Sequence, residues 1–410
     1  MLRAAPAPKY LALAVLLAGA CGPAGPTGSN LTVPGEDQVL LISMSEFGSN
    51  EDGSPAPLPA RLGILERNGE AWSYRSIEDP DSNVFHKALA YRDTVAEATA
   101  EGILTLGGTG AKVKLLAPDG TSRTLWEADF GGKFSRMRDA EIGDIYGDGR
   151  PAIAIVTHDQ GVVTVLRGDG AGNFTAIELE AQPDTIVHEV ELGDLDGDGT
   201  LEVYTTPSEP NRVDGTPQPG SVVRYVPAAG EGRAVVADLG SRHAKEILVT
   251  DLDGDGRDEL YVAVEAVSGG TVEIRRYLAD TPPDQGEVVA KLDDRLCRFL
   301  TVGDVDGDGR LEMVAATYRN GIWLLTPGGG EWGVELITDE SSSFEHASIL
   351  LDLDGDGRDE LYVASDNQHQ LRRYDWSATG WSHEVLVEHP AGTPRLTWNL
   401  TAAPSALVPQ

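Results

Sequence analysis

Short apolar runs recur along the chain, each cut off by a cluster of polar or glycine-rich residues. Around the middle they follow a fixed order. Glu246–Val249 is one run, Glu259–Ala263 a second, and Val272–Tyr277 a third in which apolar and polar residues alternate. Elsewhere a fourth follows a glycine-rich turn, as in Gly172–Leu179. Strict alternation buries one face of a strand, and an unbroken apolar run buries both. The pattern therefore predicts units of four short antiparallel strands with turns between them.

The units repeat. Asp194-Leu-Asp196-Gly-Asp198-Gly, Asp251-Leu-Asp253-Gly-Asp255-Gly, Asp304-Val-Asp306-Gly-Asp308-Gly and Asp352-Leu-Asp354-Gly-Asp356-Gly are copies of one loop, and Asp144-Ile-Tyr146-Gly-Asp148-Gly is a worn copy. First aspartates are spaced by 50, 57, 53 and 48 residues, the scale of stacked or radial repeats. Four-stranded units arranged radially are propeller blades. Residues 86–128 keep the strand pattern without the acidic loop. Residues 38–80 supply three strands, and the missing one stands at the other end of the chain, at Arg395–Thr401. Joining both ends in one blade closes the ring and removes open sheet edges. The expected fold is all-β, a seven-bladed β-propeller of four-stranded antiparallel blades over 38–402, with 403–410 as a C-terminal tail.

Each intact loop offers side-chain oxygens at positions 1, 3, 5 and 9 and a backbone carbonyl at position 7. The candidate ligands are Asp194, Asp196, Asp198, Thr200 and Glu202; Asp251, Asp253, Asp255, Arg257 and Glu259; Asp304, Asp306, Asp308, Arg310 and Glu312; and Asp352, Asp354, Asp356, Arg358 and Glu360. Closely spaced carboxylates on a tight turn suit a hard cation such as Ca²⁺, which takes roughly six to eight oxygens. About four calcium ions are expected, in a structural role. An EF-hand or dockerin-like reading needs a helix on at least one flank and an acid at position 12, where this chain has Thr205, Val262, Ala315 and Val363.

These loops and the segment Gly161–Phe174 resemble the FG-GAP/VCBS repeats that also form integrin α-subunit blades. The resemblance runs over about residues 38–402 and implies a calcium-stabilised propeller. The chain departs from it in carrying Glu at position 9, and at Tyr146 and Ala152, which leaves the Asp144 loop a poor ligand set. The resemblance implies no single function, since members include adhesion modules, lectin-like proteins and polysaccharide lyases.

Aligning repeats on the first loop aspartate exposes a basic column six residues upstream: Arg138, His188, Lys245, Arg298 and His346, extended to His86 and Arg395 in the end blades. The column stands at the start of the innermost strand, with the acidic loop at the far end, a separation of about 20 Å. Converging cations would focus positive potential at one mouth and hold a carboxylate, sulfate, phosphate or uronate. The alternative is bracing, in which each base pairs with a neighbouring acid such as Asp139, Glu189 or Glu246.

A net charge of −34 over 410 residues argues against nucleic acid and against passive attraction to anionic lipid. Two cysteines exclude a disulfide framework, and Cys297, in a strand-like run, reads as a core residue. Residues 1–20 carry Arg3 and Lys9 ahead of the apolar run Tyr10–Leu17, an expected export signal. The small residues before Cys21 resemble a bacterial lipoprotein signal, although Ala18 stands where that signal has leucine. It implies lipidation at Cys21, with 21–37 as a flexible tether, in the bacterial cell envelope, or else plain secretion. The only expected membrane contact is that lipid anchor, and the chain is expected to act as a monomer.

The expected function is a binding or adhesion module for a glycan or protein ligand. Trp332, Trp376 and Trp381 could stack on sugars, but they also suit outer-strand packing. The sequence carries no nucleophile elbow, zinc signature or phosphate loop. The enzymatic alternative is a polyuronate lyase with Lys245, His188 or His346 as the base.

Overall fold

The computed structural model describes residues 37–410 apart from 53, 94–99, 109, 132–134, 159, 210–216 and 268. The expected export signal and Cys21 lie outside the described residues. The alternating runs form seven antiparallel sheets in ring order. Blade one joins Arg395–Pro404 to Gln38–Ser49, Ala60–Asn68 and Ala71–Asp79, with Pro55–Pro57 as a short extra strand. Blades two to seven start on the innermost strands Phe85–Asp93, Met137–Gly143, Ile186–Gly193, Ala244–Thr250, Cys297–Gly303 and Ser348–Leu351. Each continues outward through three more strands in sequence order. The only helices among the described residues are two single 3₁₀ turns, and none is long and apolar enough to cross a membrane.

Burial follows position in the blade. Second strands such as Glu259–Val264 and Glu312–Thr317 are buried along their whole length because blades cover both faces. Outer strands such as Gly333–Thr338 face solvent. The core is divided into clusters between neighbouring blades. Tyr261, Val272 and Ile274 of blade five, for example, pack on Met313, Ala315 and Leu325 of blade six. Each fully buried aliphatic side chain contributes about 1.5–3 kcal/mol. Cys297 sits in that cluster, fully buried, and Trp332 packs against it; Trp376 and Trp381 pack between blades six and seven. The tryptophans thus serve packing.

The ring closes where the sequence places the closure. Gln38 pairs with Pro404 and Glu46 with Arg395 in an antiparallel ladder. The strand is longer than the pattern suggests. It runs to Pro404, and Leu407 and Val408 are buried in the cluster between blades one and two. The expected tail at 403–410 is therefore folded into the propeller.

Innermost strands share a bulge near their start. Register slips at His86 and Lys87, at Arg138, at His188 and Glu189, at Lys245 and Glu246, and at Arg298. A bulge frees backbone groups and re-aims side chains. Here the freed amides are satisfied from the preceding blade. Val190 N–H donates to Asp139 at 3.0 Å and Leu300 N–H to Glu246 at 2.8 Å.

Candidate functional site

Two groups of charged residues stand at opposite ends of the innermost strands. At the C-terminal ends, the four acidic loops share one hydrogen-bond pattern. In the loop at 251, Asp251 accepts the N–H groups of Gly254, Asp255 and Gly256, Asp253 accepts that of Asp255, and Asp255 accepts that of Arg257. Gly254 and Gly256 hold φ of +75° and +90°, which closes the turn around the carboxylates. The three aspartates of each loop bring oxygens within 4.8 Å of one another. In three loops none of the nine aspartates is in an ion pair with a lysine or arginine among the described residues. The fourth differs, because Arg67 and Arg373 lie 3.3 and 3.6 Å from Asp354 and Arg358 lies 2.6 Å from Asp356.

The position-9 glutamates are buried at the base. Glu259 and Glu312 accept the N–H groups of Leu252 and Val305 at 3.0 and 3.1 Å, and Glu202 that of Leu195 at 3.3 Å. Glu360 joins its three aspartates in one group whose oxygens all lie within 4.8 Å of one another; Glu202, Glu259 and Glu312 staple their loops from beneath. Burial pushes the carboxyls of Glu259, Glu312 and Glu360 up to about 7. Thr200, Arg257, Arg310 and Arg358 sit at position 7 as expected, each donating its N–H to the position-5 aspartate. These oxygen-only donor sets could hold divalent cations. In the worn loop the protein supplies the positive charge itself: Arg167 lies 2.5 Å from Asp148 and 4.4 Å over the Tyr146 ring.

Loops of neighbouring blades are also clamped together. The Asp258 carboxylate accepts Asp194 N–H at 2.7 Å, and Asp258 N–H donates to Asp194 O at 3.2 Å. Asp359 repeats both bonds on Asp304, at 2.8 and 2.9 Å. The sequence reading passed over position 8, where Leu201, Asp258, Leu311 and Asp359 alternate.

At the other end, His86, Arg138, His188, Lys245 and Arg298 converge on an axial cavity of about 20 Å³, together with Asp139, Glu189, Phe299, Glu345, Trp398 and Asn399. The bulges explain the convergence. They also correct two expected members of the column. Blade one slips at Trp398, so Trp398 takes the place expected for Arg395, while Arg395 lies opposite Glu46 and pairs with it. The error arose because the innermost strand of blade one runs past Thr401. Blade seven has no such slip. His346 precedes its strand at φ +56°, and its ring bonds Thr317 O at 2.6 Å and Ser341 Oγ at 2.8 Å.

The ring is not an open mouth. His86, His188, Lys245 and Arg298 are each at most 4% exposed. Bracing is present, but through carboxylates the sequence reading did not single out. Glu265 takes His243 at 3.0 Å, Lys245 at 3.1 Å and Arg298 at 3.1 Å, and Glu345 takes Arg138 at 3.5 Å and Arg298 at 3.7 Å. Burial favours a neutral Glu265, but Arg298, His243 and Lys245 outweigh it and hold the carboxyl at about 2. Burial, then Arg298, brings Lys245 down to about 7. His86 and His188 are held well below the usual imidazole range, mainly by burial. The expected partners act elsewhere: Asp139 pairs with Lys87 at 3.0 Å, and Glu246 caps Leu300. Below the cations lies an acidic layer of Glu141, Glu189, Glu191 and Glu246 around Lys87. Burial raises the carboxyls of Glu189, Glu191 and Glu246 well above the usual range.

The model of the FG-GAP-like repeat matches residues 144–205 and 251–315, which hold the worn loop and three intact ones. No curated protein matches the chain. Among solved structures, a Bacteroides fragilis protein proposed to be a 6-phosphogluconolactonase superposes with a TM-score of 0.52 at 14% identity, over 90% of this chain and 98% of that one. A Bacteroides uniformis protein proposed to be the same enzyme gives 0.51 at 12% identity, over 88% and 100%. At such identities the likeness is one of fold. With the sheet order, it makes this chain a seven-bladed β-propeller in which residues 144–205 and 251–315 are FG-GAP-like repeats.

Proposed function

We propose that this chain is an exported, calcium-stabilised binding module that recognises an anionic group of a glycan or protein at the basic end of its axis. The observation that carries the reading is the shared bulge, which turns basic residues of four adjacent blades, and His86 of blade two with them, onto one point. Arg138, the least buried of the five, is the group best placed to meet a ligand from outside. Calcium is supported by four clusters of aspartate oxygens, three of which are in no ion pair with lysine or arginine among the described residues. Export is supported by the apolar run and small residues ahead of Cys21.

The lyase reading draws no support from the geometry. Lys245 is enclosed and bound to Glu265, His188 is enclosed beside it, and His346 is held by Thr317 and Ser341. A glycan array in calcium separates the readings. Acidic glycans should be retained over neutral ones, and Arg138→Gln should weaken retention about tenfold, a loss of ~1.4 kcal/mol. Retention untouched by Arg138→Gln would overturn the proposal. Release of unsaturated uronates from a polyuronate would favour the lyase.

A further inference from the structure

We infer that the axial cavity among Arg138, His188, Lys245 and Arg298 is a binding site for one small monoanion, either a halide or the single charged end of a carboxylate. The inference rests on the reading of this end as the anion-recognising end and narrows it to one ligand class.

Size sets the first limit. About 20 Å³ takes one water-sized species, since a single water needs roughly 10–15 Å³ of such space. The four oxygens of sulfate or phosphate do not fit. Donors set the second. Both ring nitrogens of His188, Nε2 of His86 and Nη2 of Arg298 have no hydrogen-bond partner, and all three side chains are more than nine-tenths buried. Buried polar groups left without partners cost about 1–3 kcal/mol each. The neutral imidazole of His188 offers one N–H, Lys245 has N–H groups beyond the one given to Glu265, and Arg298 has a free Nη2 edge.

Charge sets the third. Arg138, Lys245 and Arg298 face two carboxylates that pair with them, Glu265 and Glu345, which leaves one positive charge over. The surplus is counted over these five groups; Asp139 pairs instead with Lys87, which it shares with Glu141, and burial pushes the Glu189 carboxyl up, toward its neutral form. A water would satisfy donors but not the charge, whereas a monoanion satisfies both. The charge also makes the site proton-linked. Without an anion, burial and Arg298 let Lys245 lose its proton near pH 7; His243, His188 and Arg138 lie on the same side of the balance, against Glu265 and Glu345. An anion raises the affinity of Lys245 for that proton, so binding weakens as pH rises, by about fivefold from pH 7 to pH 8 and by about tenfold per unit beyond.

The test is calorimetric melting of the calcium-loaded protein at constant ionic strength, with methanesulfonate replaced by bromide, formate or sulfate. Bromide and formate should raise the melting temperature saturably at pH 6.5, sulfate should not, and the apparent affinities should fall about fivefold between pH 7 and pH 8. Lys245→Met should abolish the pH dependence. Should that variant not fold, anomalous diffraction from bromide-soaked wild-type crystals decides the matter by a peak, or none, in the cavity. Melting indifferent to the exchange, or a cavity holding only water, would sink the inference. Loss of bromide binding while acidic glycans still depend on Arg138 would refute the cavity alone. A bromide-filled cavity with no acidic glycan bound would refute the proposed function instead.

Discussion

Asp258→Leu cuts a clamp between two acidic loops while installing the residue that blades four and six already carry at that position, Leu201 and Leu311. It removes a 2.7 Å bond from Asp194 N–H to a buried carboxylate. A hydrogen bond to a charged acceptor contributes about 1.5–3 kcal/mol, and a buried leucine returns part of that, for a net loss of ~1–2 kcal/mol. Unfolding entropy of ~2.1 cal/mol/K per residue makes a domain of this size lose ~1–3 °C. The informative measurement is a pair of double-mutant cycles in saturating calcium, read by denaturant midpoint. Combined with Asp196→Asn in the clamped loop, Asp258→Leu should couple by more than about 0.5 kcal/mol; combined with Asp306→Asn, two blades from Asp194, it should add within about 0.5 kcal/mol. Additivity in both cycles would show that Asp258 serves only its own blade, and the clamp would carry no coupling.

Two further outcomes follow from the same geometry. Removing calcium with EDTA should lower the melting temperature, since each loop filled at 100 times its Kd contributes about 2.7 kcal/mol by linkage; an unchanged melt would end the structural-calcium reading. Acid should weaken the fold below pH 6.5, because the enclosed His346 is lowered to about 4, mainly by burial. Its contribution is complete above the unfolded value near 6.5 and is lost as pH falls toward 4, about 3 kcal/mol in all. His346→Asn should flatten that part of a stability profile taken by urea titration, and an unaltered profile would show that other groups set it.

The fold was legible because it rests on local signals. Period-two runs, repeated loops and a strand missing at one end found again at the other led to the ring and its closure. The site was legible only where the repeat register held. Arg138, His188, Lys245 and Arg298 share the cavity because each lies the same distance before an acidic loop. Blade one has no such loop to anchor the count. The register chosen at Thr401 therefore named Arg395, although the longer strand puts Trp398 at the bulge. The bracing carboxylates were missed for a different reason. Glu265 follows a second strand and Glu345 precedes an innermost one, and both reach the axis only through tertiary packing. A signal for Glu265 exists. At the same distance after the first loop aspartate stand His158, Ser208, Glu265, Tyr318 and Asp366, all polar at the end of a buried apolar strand.

Position 8 makes the junctions around the ring chemically unlike. Leu201 packs on Gly143 where blade four meets blade three, and Leu311 is apolar where six meets five. Asp258 and Asp359 join four to five and six to seven through hydrogen bonds. Ion pairs add to this at Arg150 with Asp93 and at Arg67 with Asp354, linking three to two and one to seven. Different solvents therefore attack different seams. Cold loosens the apolar ones, because hydrophobic attraction fades on cooling, while acid and salt loosen the rest. A hoop of near-identical blades thus has no single weakest link; the conditions select where it first opens.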